Sequence, residues 1–288
     1  MVIEVVKMDQ AEKLRLQLQN IHQKQATTYA VISGKGGVGK SNLVLNISLL
    51  LAKRANSVLV VDCDIGMANI DLLLGVPSSS KSLIDMVEER LAYTECVSVG
   101  PNRLNFLSGG TSLSKLISFK DNEYQFFFEQ LEKMSMQYDQ IFFDMGAGIS
   151  DISLNFIKSV DEVLVVSTPE PTSIMDAYAA IKLVLHEMPD KKISLIVNRC
   201  QKRNDGEETW QKLSQTVKRF LHNEIHLLGT IPDDRHVQQA VMEQTPFTLK
   251  YPSSPSSKAV DTIASKLMGI ESNESGFVNR LKKFFLKG

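Results

Sequence analysis

Apolar positions follow two rhythms along this chain. Short continuous apolar runs cover residues 28–32, 57–61, 104–107, 140–143, 162–167, 192–197 and 225–231. Between them lie longer stretches in which apolar residues recur at helical spacing. Runs that are continuous rather than alternating mark strands buried on both faces, as in a parallel sheet covered by helices. The pattern therefore predicts an α/β fold: a doubly wound, mostly parallel sheet with helices on both faces, forming one domain over residues 27–269.

Three segments depart from that rhythm. Within residues 1–26, Ala11, Leu14, Leu18 and Ile21 fall on one helical stripe, and the rest of the stretch is rich in Gln, Lys and Arg. Residues 251–257, YPSSPSS, read as a loop by composition. Residues 270–288 comprise a polar linker and a short helix over 277–287, with Phe277, Val278, Leu281, Phe284 and Phe285 on one side. Arg280, Lys283 and Lys287 occupy the other side, Lys282 sits near the boundary, and no acid interrupts them.

The sharpest chemistry follows the first run. Gly34, Gly39, Lys40 and Ser41 satisfy G-x-x-x-x-G-K-[ST] between a predicted strand and a predicted helix. Glycines let backbone N–H groups converge on phosphate oxygens, Lys40 reaches the β- and γ-phosphates, and the Ser41 hydroxyl ligates Mg²⁺. Gly34, Gly36, Gly37, Val38, Gly39, Lys40, Ser41 and Asn42 are thus the expected nucleotide cradle. Lys35 is surplus: it comes too early to reach the phosphates of its own loop, so it is expected to reach a nucleotide held by a second subunit.

Phosphoryl transfer also needs a metal and a positioned nucleophile. Asp144 ends the 140–143 strand before a flexible turn, where it suits the Mg²⁺ shell. Asp62 and Asp64 leave the end of the 57–61 strand, on the side where open α/β sheets bind ligands. Either acid can hold Mg²⁺-bound water, and one can orient the attacking water; Asp71 reads as structural. His22, His186, His222, His226 and His236 are dispersed and form no Ser-His-Asp constellation.

Composition narrows the classes. A chain of 288 residues, 43% of them hydrophobic, can bury a sizeable core. A formal net charge of -1 offers no global attraction for nucleic acid. Cys63, Cys96 and Cys200 are scattered, which suits a reducing compartment and argues against a disulfide framework or a C-x-x-C cluster site. Residues 1–7 are too short and carry an acid, so no signal peptide is expected. No apolar stretch reaches the roughly 18 residues of a membrane span.

KGGVGKS at 35–41, VVDCDIGMANIDLLLG at 60–75 and IFFDMGAGIS at 141–150 together resemble the MinD/ParA group of deviant Walker A ATPases. The resemblance covers most of the chain and implies Mg²⁺-dependent hydrolysis of ATP to ADP and phosphate. It also implies a homodimer with ATP, in which Lys35 crosses the interface, with Lys40 as the second catalytic lysine. Asp64 then positions the hydrolytic water, while Ser41, Asp62 and Asp144 serve the metal. Asn198 matches the adenine-contacting position, and Pro232 and Asp233, with Asp234, match the loop over the base. Glu170 and Asp176 match interface or nucleotide-neighbouring positions.

The two ends resemble particular branches. The basic helix is similar to the membrane-targeting sequence of MinD-type proteins, with Phe277, Val278, Leu281, Phe284 and Phe285 inserted and Lys282 and Lys283 toward anionic lipid. Asp9, Gln10, Ala11, Leu14 and Arg15 resemble the DQAxxLR element of the flagellar FlhG (YlxH/FleN) branch, which stimulates the FlhF GTPase. Implied partners are an FlhF-like GTPase, an anionic membrane and flagellar C-ring proteins. The expected place is the bacterial cytoplasm, peripheral on the inner face of the membrane when ATP-bound. The expected task is control of flagellar number and placement. The alternative is positioning of another cargo, in DNA partition or at the division site, although the balanced charge and terminal helix disfavour nucleic acid.

Overall fold

The computed structural model describes residues 25–64, 70–77, 81–108, 113–146, 148, 150–268 and 276–285. Asp9, Gln10, Ala11, Leu14, Arg15 and Lys287 lie outside them, as does most of the expected linker. The eight-stranded sheet comprises β1 (Thr27–Ile32), β2 (Val58–Cys63), β3 (Ser98–Val99), β4 (Asn105–Ser108), β5 (Gln140–Met145), β6 (Glu162–Ser167), β7 (Lys192–Cys200) and β8 (His226–Pro232). Its order is β3-β4-β2-β5-β1-β6-β7-β8, and among the described residues only the β3–β4 pair is antiparallel.

Each apolar run read from the sequence is a strand. Every residue of β1, β2, β5 and β6 is buried, so the runs had to be apolar on both faces. Alternate side chains serve two cores. Tyr29, Val31, Val60, Phe142 and Leu164 pack under α1 (Lys40–Lys53) and α7 (Pro255–Leu267). Ala30, Ile32, Val61, Phe143 and Val163 face the opposite layer. That layer contains α2 (Asp121–Gln137), α3 (Asp151–Ser159), α4 (Pro171–Glu187) and α5 (Asp205–Leu221), while α6 (Arg235–Met242) follows β8. The Tyr29 and Phe142 rings stack 4.8 Å apart across neighbouring strands.

The 251–257 expectation needs correction. Helix α7 already begins at Pro255, and Ser256 and Ser257 are buried in its first turn. Ser254 caps it by accepting the Ser257 N–H, and proline at N1 supplies a preset helical φ. Residues 251–254 are the expected turn, while Ser254, Pro255, Ser256 and Ser257 supply helix-starting chemistry.

Helix α8 (Phe277–Phe285) forms as its spacing predicts, but it lies against the domain between α2 and α3. Among the described residues no helix is long and apolar enough to cross a membrane.

Candidate functional site

The C-terminal ends of β1, β2, β5, β6 and β7 meet at one edge of the sheet, where parallel α/β folds leave their ligand crevice. Residues 33–39 turn there from β1 into α1. Gly39, the residue before α1, has φ 91°, a left-handed conformation that suits glycine. Gly34 is required for another reason: a Cβ there would stand 2.1 Å from the backbone carbonyl carbon of Asp176 in α4. The loop thus packs tightly on α4 and delivers the free N–H groups of α1 to the crevice.

Parallel register between β2 and β5 pairs Asp62 with Asp144, setting two acids side by side. Lys40 forms a buried ion pair with Asp144, the two side chains being 7% and 1% exposed. Lys40 also lies 3.4 Å from the Ser41 hydroxyl. Burial pushes the Asp144 carboxyl above its ordinary value, against the pull of Lys40 and the Ser41 hydrogen bond. The Asp64 N–H donates to Asp62 Oδ1 at 3.0 Å. The Asp64 carboxylate lies by Gly146, whose added Cβ would come within 2.8 Å of Asp64 Oδ1. Among the described residues no three acids converge on one point, but Asp62 and Asp144 lie side by side with the Ser41 hydroxyl on Asp144, hard oxygens that fit a Mg²⁺ whose other ligands are phosphate and water. Burial, reinforced by Asp62 and Asp144, pushes the Cys63 thiol well up, which keeps it protonated and inert.

Beside the loop lies a cavity of about 280 Å³, lined by Gly39, Asn42, Asn198, Pro232, Asp233 and Phe247, among others. Asn198 Nδ2 donates to the Val38 carbonyl at 2.8 Å, tying the end of β7 to the phosphate loop. The Asp233 N–H donates to Cys200 O at 2.8 Å, which holds the 232–234 turn against β7. Asp234 caps α6 through the His236 N–H at 3.0 Å and accepts the Ser256 N–H at 3.2 Å. The expected base-contacting residues are thus brought together.

Lys35 is held elsewhere. Its Nζ donates to Glu170 Oε2 at 2.6 Å and to Thr172 Oγ1 at 3.2 Å, at the exposed start of α4. The two lysines of the loop therefore have separate stations: Lys40 at the buried acids, and Lys35 at the rim.

A ParA family model, described as NUBPL iron-transfer P-loop NTPase, matches residues 24–268. The chain is 31% identical over 251 residues to the antiactivator FleN of Pseudomonas aeruginosa, covering 87% of this chain and 89% of that one. It is 32% identical over 242 residues to the flagellum site-determining protein YlxH of Helicobacter pylori, covering 83% and 81%. The MinD cell division protein of Aquifex aeolicus superposes with TM-score 0.69 at 27% identity, covering 86% and 99%. The chain belongs to the MinD/ParA family of P-loop ATPases.

Iron transfer in the family description has no visible counterpart among the cysteines. Cys63, Cys96 and Cys200 are each buried, and no two lie in a C-x-x-C pair. In this MinD/ParA chain, apolar residues line much of the cavity beside the loop. Sequence reasoning missed Val237, Val241 and Met242 on α6, Phe247, and Arg199, which adopts a φ of 58° next to Asn198. The i, i+4 spacing of Val237 and Val241 is the signal from which an apolar wall could have been read.

The terminal helix of this MinD/ParA chain presents its apolar face to its own domain. Phe277, Val278 and Leu281 are buried, with Phe277 5.0 Å from the Phe143 ring and Phe285 5.7 Å from Tyr124. Arg280 donates to Ser159 O at 2.5 Å and pairs with Asp161 at 2.7 Å. Lys282 pairs with Glu132 at 2.5 Å, and Lys158 lies over the Phe284 ring. The residues expected at lipid are therefore engaged with protein here, because α2 and α3 offer an apolar groove with acids at its rim. Phe284 and Phe285 remain half-buried, and Lys283 is exposed.

Proposed function

We propose that this ATPase is a nucleotide-controlled switch that regulates flagellar number and placement. ATP closes a homodimer, the dimer engages the inner membrane surface and its partners, and hydrolysis reopens it. The observation that carries this reading is the station of Lys35. Lys40 already serves the buried acids, whereas Lys35 rests on an exposed and weakly held partner, available to a nucleotide on a second copy. The likeness to FleN and YlxH supports the flagellar assignment.

The residues divide the chemistry as follows. Lys40 exchanges Asp144 for phosphate oxygens when nucleotide enters. Ser41, Asp62 and Asp144 would hold Mg²⁺, which would neutralise charge on the phosphates. Asp64, whose backbone N–H is tied to Asp62, would orient the attacking water with its carboxylate. The water oxygen bonds to phosphorus as the bond to the β–γ bridging oxygen breaks; one water proton stays on the new phosphate, the other is released to solvent, and ADP leaves with the bridging oxygen. Lys35 of the second copy compensates charge as it develops. Asn198, Pro232 and Asp233 hold adenine.

Membrane binding requires α8 to change partners, since Phe277, Val278 and Leu281 cannot lie in the domain and in lipid together. Burying each such side chain is worth about 1.5–3 kcal/mol, so docking competes directly with insertion. One short amphipathic helix binds lipid marginally, but two on one dimer raise the effective concentration of the second to about millimolar. Residues 1–26 are the proposed activator of an FlhF-like GTPase, and flagellar C-ring proteins are further proposed partners. Light scattering tests the core of this reading: monomer with ADP, dimer with ATP, and a persistent dimer for Asp64→Ala with ATP. A monomer under all three conditions would overturn it.

A further inference from the structure

One buried amide joins the first turns of α1 to the wall of the nucleotide cavity. Asn46, 1% exposed, lies one helical turn beyond Asn42. Its Nδ2 donates to Asn42 O and to Asn42 Oδ1, each at 2.8 Å. Its Oδ1 accepts from Thr248 N at 2.9 Å and from Thr248 Oγ1 at 2.8 Å. Both N–H groups and both lone pairs of the amide are used.

Two backbone groups settle which way this amide faces. The Thr248 N–H can only donate and the Asn42 carbonyl can only accept, so the oxygen of Asn46 must face Thr248 and its nitrogen must face Asn42. Orientation then passes to the next side chain. Asn42 Oδ1 is committed as an acceptor to Asn46, which leaves Asn42 Nδ2 as the donor end of that side chain. Asn42 lines the cavity beside Gly39, in the first turn of α1. That turn is the anion-attracting end of the helix, whereas the apolar wall made by Val237, Val241 and Phe247 suits a base.

We infer that Asn46 is a positioning residue for nucleotide binding: it holds the Asn42 amide with Nδ2 turned to the nucleotide, as a donor to an α-phosphate oxygen. Its other end anchors Thr248, and with it the neighbouring cavity residue Phe247, so one side chain sets the spacing between the phosphate end and the base wall. The inference rests on the nucleotide site proposed above and adds to it a residue outside the phosphate-loop motif.

The test is a double-mutant cycle on the full chain, with Mg²⁺-ADP affinity measured by calorimetry and adenosine affinity by competition. Asn46→Asp keeps acceptors for Thr248 and has no N–H for Asn42. Asn42→Ala and Asn46→Asp should each weaken ADP binding by about three- to ten-fold, the range of one hydrogen bond. The double variant should bind ADP no more weakly than Asn42→Ala alone, because Asn46 acts through Asn42. Adenosine affinity should change by less than about two-fold in all three variants, since adenosine lacks the phosphate. If Asn46→Asp does not fold, Asn46→Ala is the second variant; it also frees Thr248, so adenosine affinity measures the base-wall part of its loss, and the remaining loss on ADP should vanish in the Asn42→Ala background. Multiplying effects in the double variant, equal losses with adenosine, or a lower melting temperature with unchanged ADP affinity would each overturn the positioning role. Failure of the wild-type chain to bind ADP would instead overturn the nucleotide site itself.

Discussion

Lys35 and Glu170 are hydrogen-bonded at 2.6 Å between the phosphate loop and the start of α4. The Lys35 hydrogen bond, with its charge, holds the Glu170 carboxyl below its ordinary value. The extra lysine of the loop is thus occupied within its own chain, and closing a dimer through it means breaking this contact first.

Lys35→Ala should keep the fold and lose ATP-dependent dimerisation and hydrolysis. Lys40 with its buried acids stays in place, so single-copy nucleotide binding should persist. A cation supplied in trans to a phosphoryl group is worth about 10³ to 10⁵ in rate, and a loss of that order is expected. Steady-state phosphate release and light scattering read both effects. Wild-type dimer formation would remove the trans role.

Glu170→Ala should act in the opposite direction. Freed from its resting partner, Lys35 becomes available at lower ATP, so the dimer midpoint in an ATP titration should fall by a modest factor. Both side chains are substantially exposed, which is why the effect is small. A raised midpoint would show that Glu170 belongs to the closed dimer.

Asp64→Ala should separate binding from hydrolysis. The Lys40–Asp144 pair and the 280 Å³ cavity do not depend on its carboxylate, so ATP should bind and the dimer should accumulate without turnover. If ATP leaves the variant monomeric, Asp62 becomes the candidate for holding the water.

Phe284→Glu and Gly276→Val should move vesicle binding in opposite directions. Phe284 is half-buried, so a charge there spoils insertion while sparing the Phe277–Phe143 contact. Gly276 precedes α8 with φ 53°, where a β-branched residue is strained, so Gly276→Val should loosen docking without touching a lipid-facing side chain. Co-sedimentation with anionic vesicles in ADP should fall for the first variant and rise for the second. Deleting 277–288 is a poorer probe, since it uncovers Phe143 and Phe156 and should lower the melting temperature.

Lys191 gives a pH test of the same region. Burial, with the charge of Arg280 on α8, lowers its pKa from 10.5 to about 8. Between those values the unfolded chain holds the proton that the folded chain has lost, so this group adds stability as pH rises from about 8 to 10.5. Lys191→Met should remove that increment. Chemical denaturation of both proteins across the window checks it, and parallel pH profiles would show that the lysine stays charged.

Much of the site was legible before any tertiary contact was known. Strands buried on both faces must be continuously apolar, so β1, β2, β5 and β6 announced themselves, and a phosphate loop requires Gly39, Lys40 and Ser41 next to one another. Strand β3 has two residues, too few for a periodic pattern, and its pairing comes from β4. The likeness to a family pointed to Asp64 and Asn198, but only parallel register brought Asp62 beside Asp144, since sequence carries no strand order. Amphipathic spacing in 277–285 determined that one face of α8 would be covered. It could not say by what: a groove between α2 and α3 and a lipid surface reward the same residues, and the choice depends on Phe143, Phe156 and Asp161, more than a hundred residues away in the chain. Lys35 is the same case, for its excess was plain from the loop, while its partner Glu170 is a neighbour only because β6 lies beside β1.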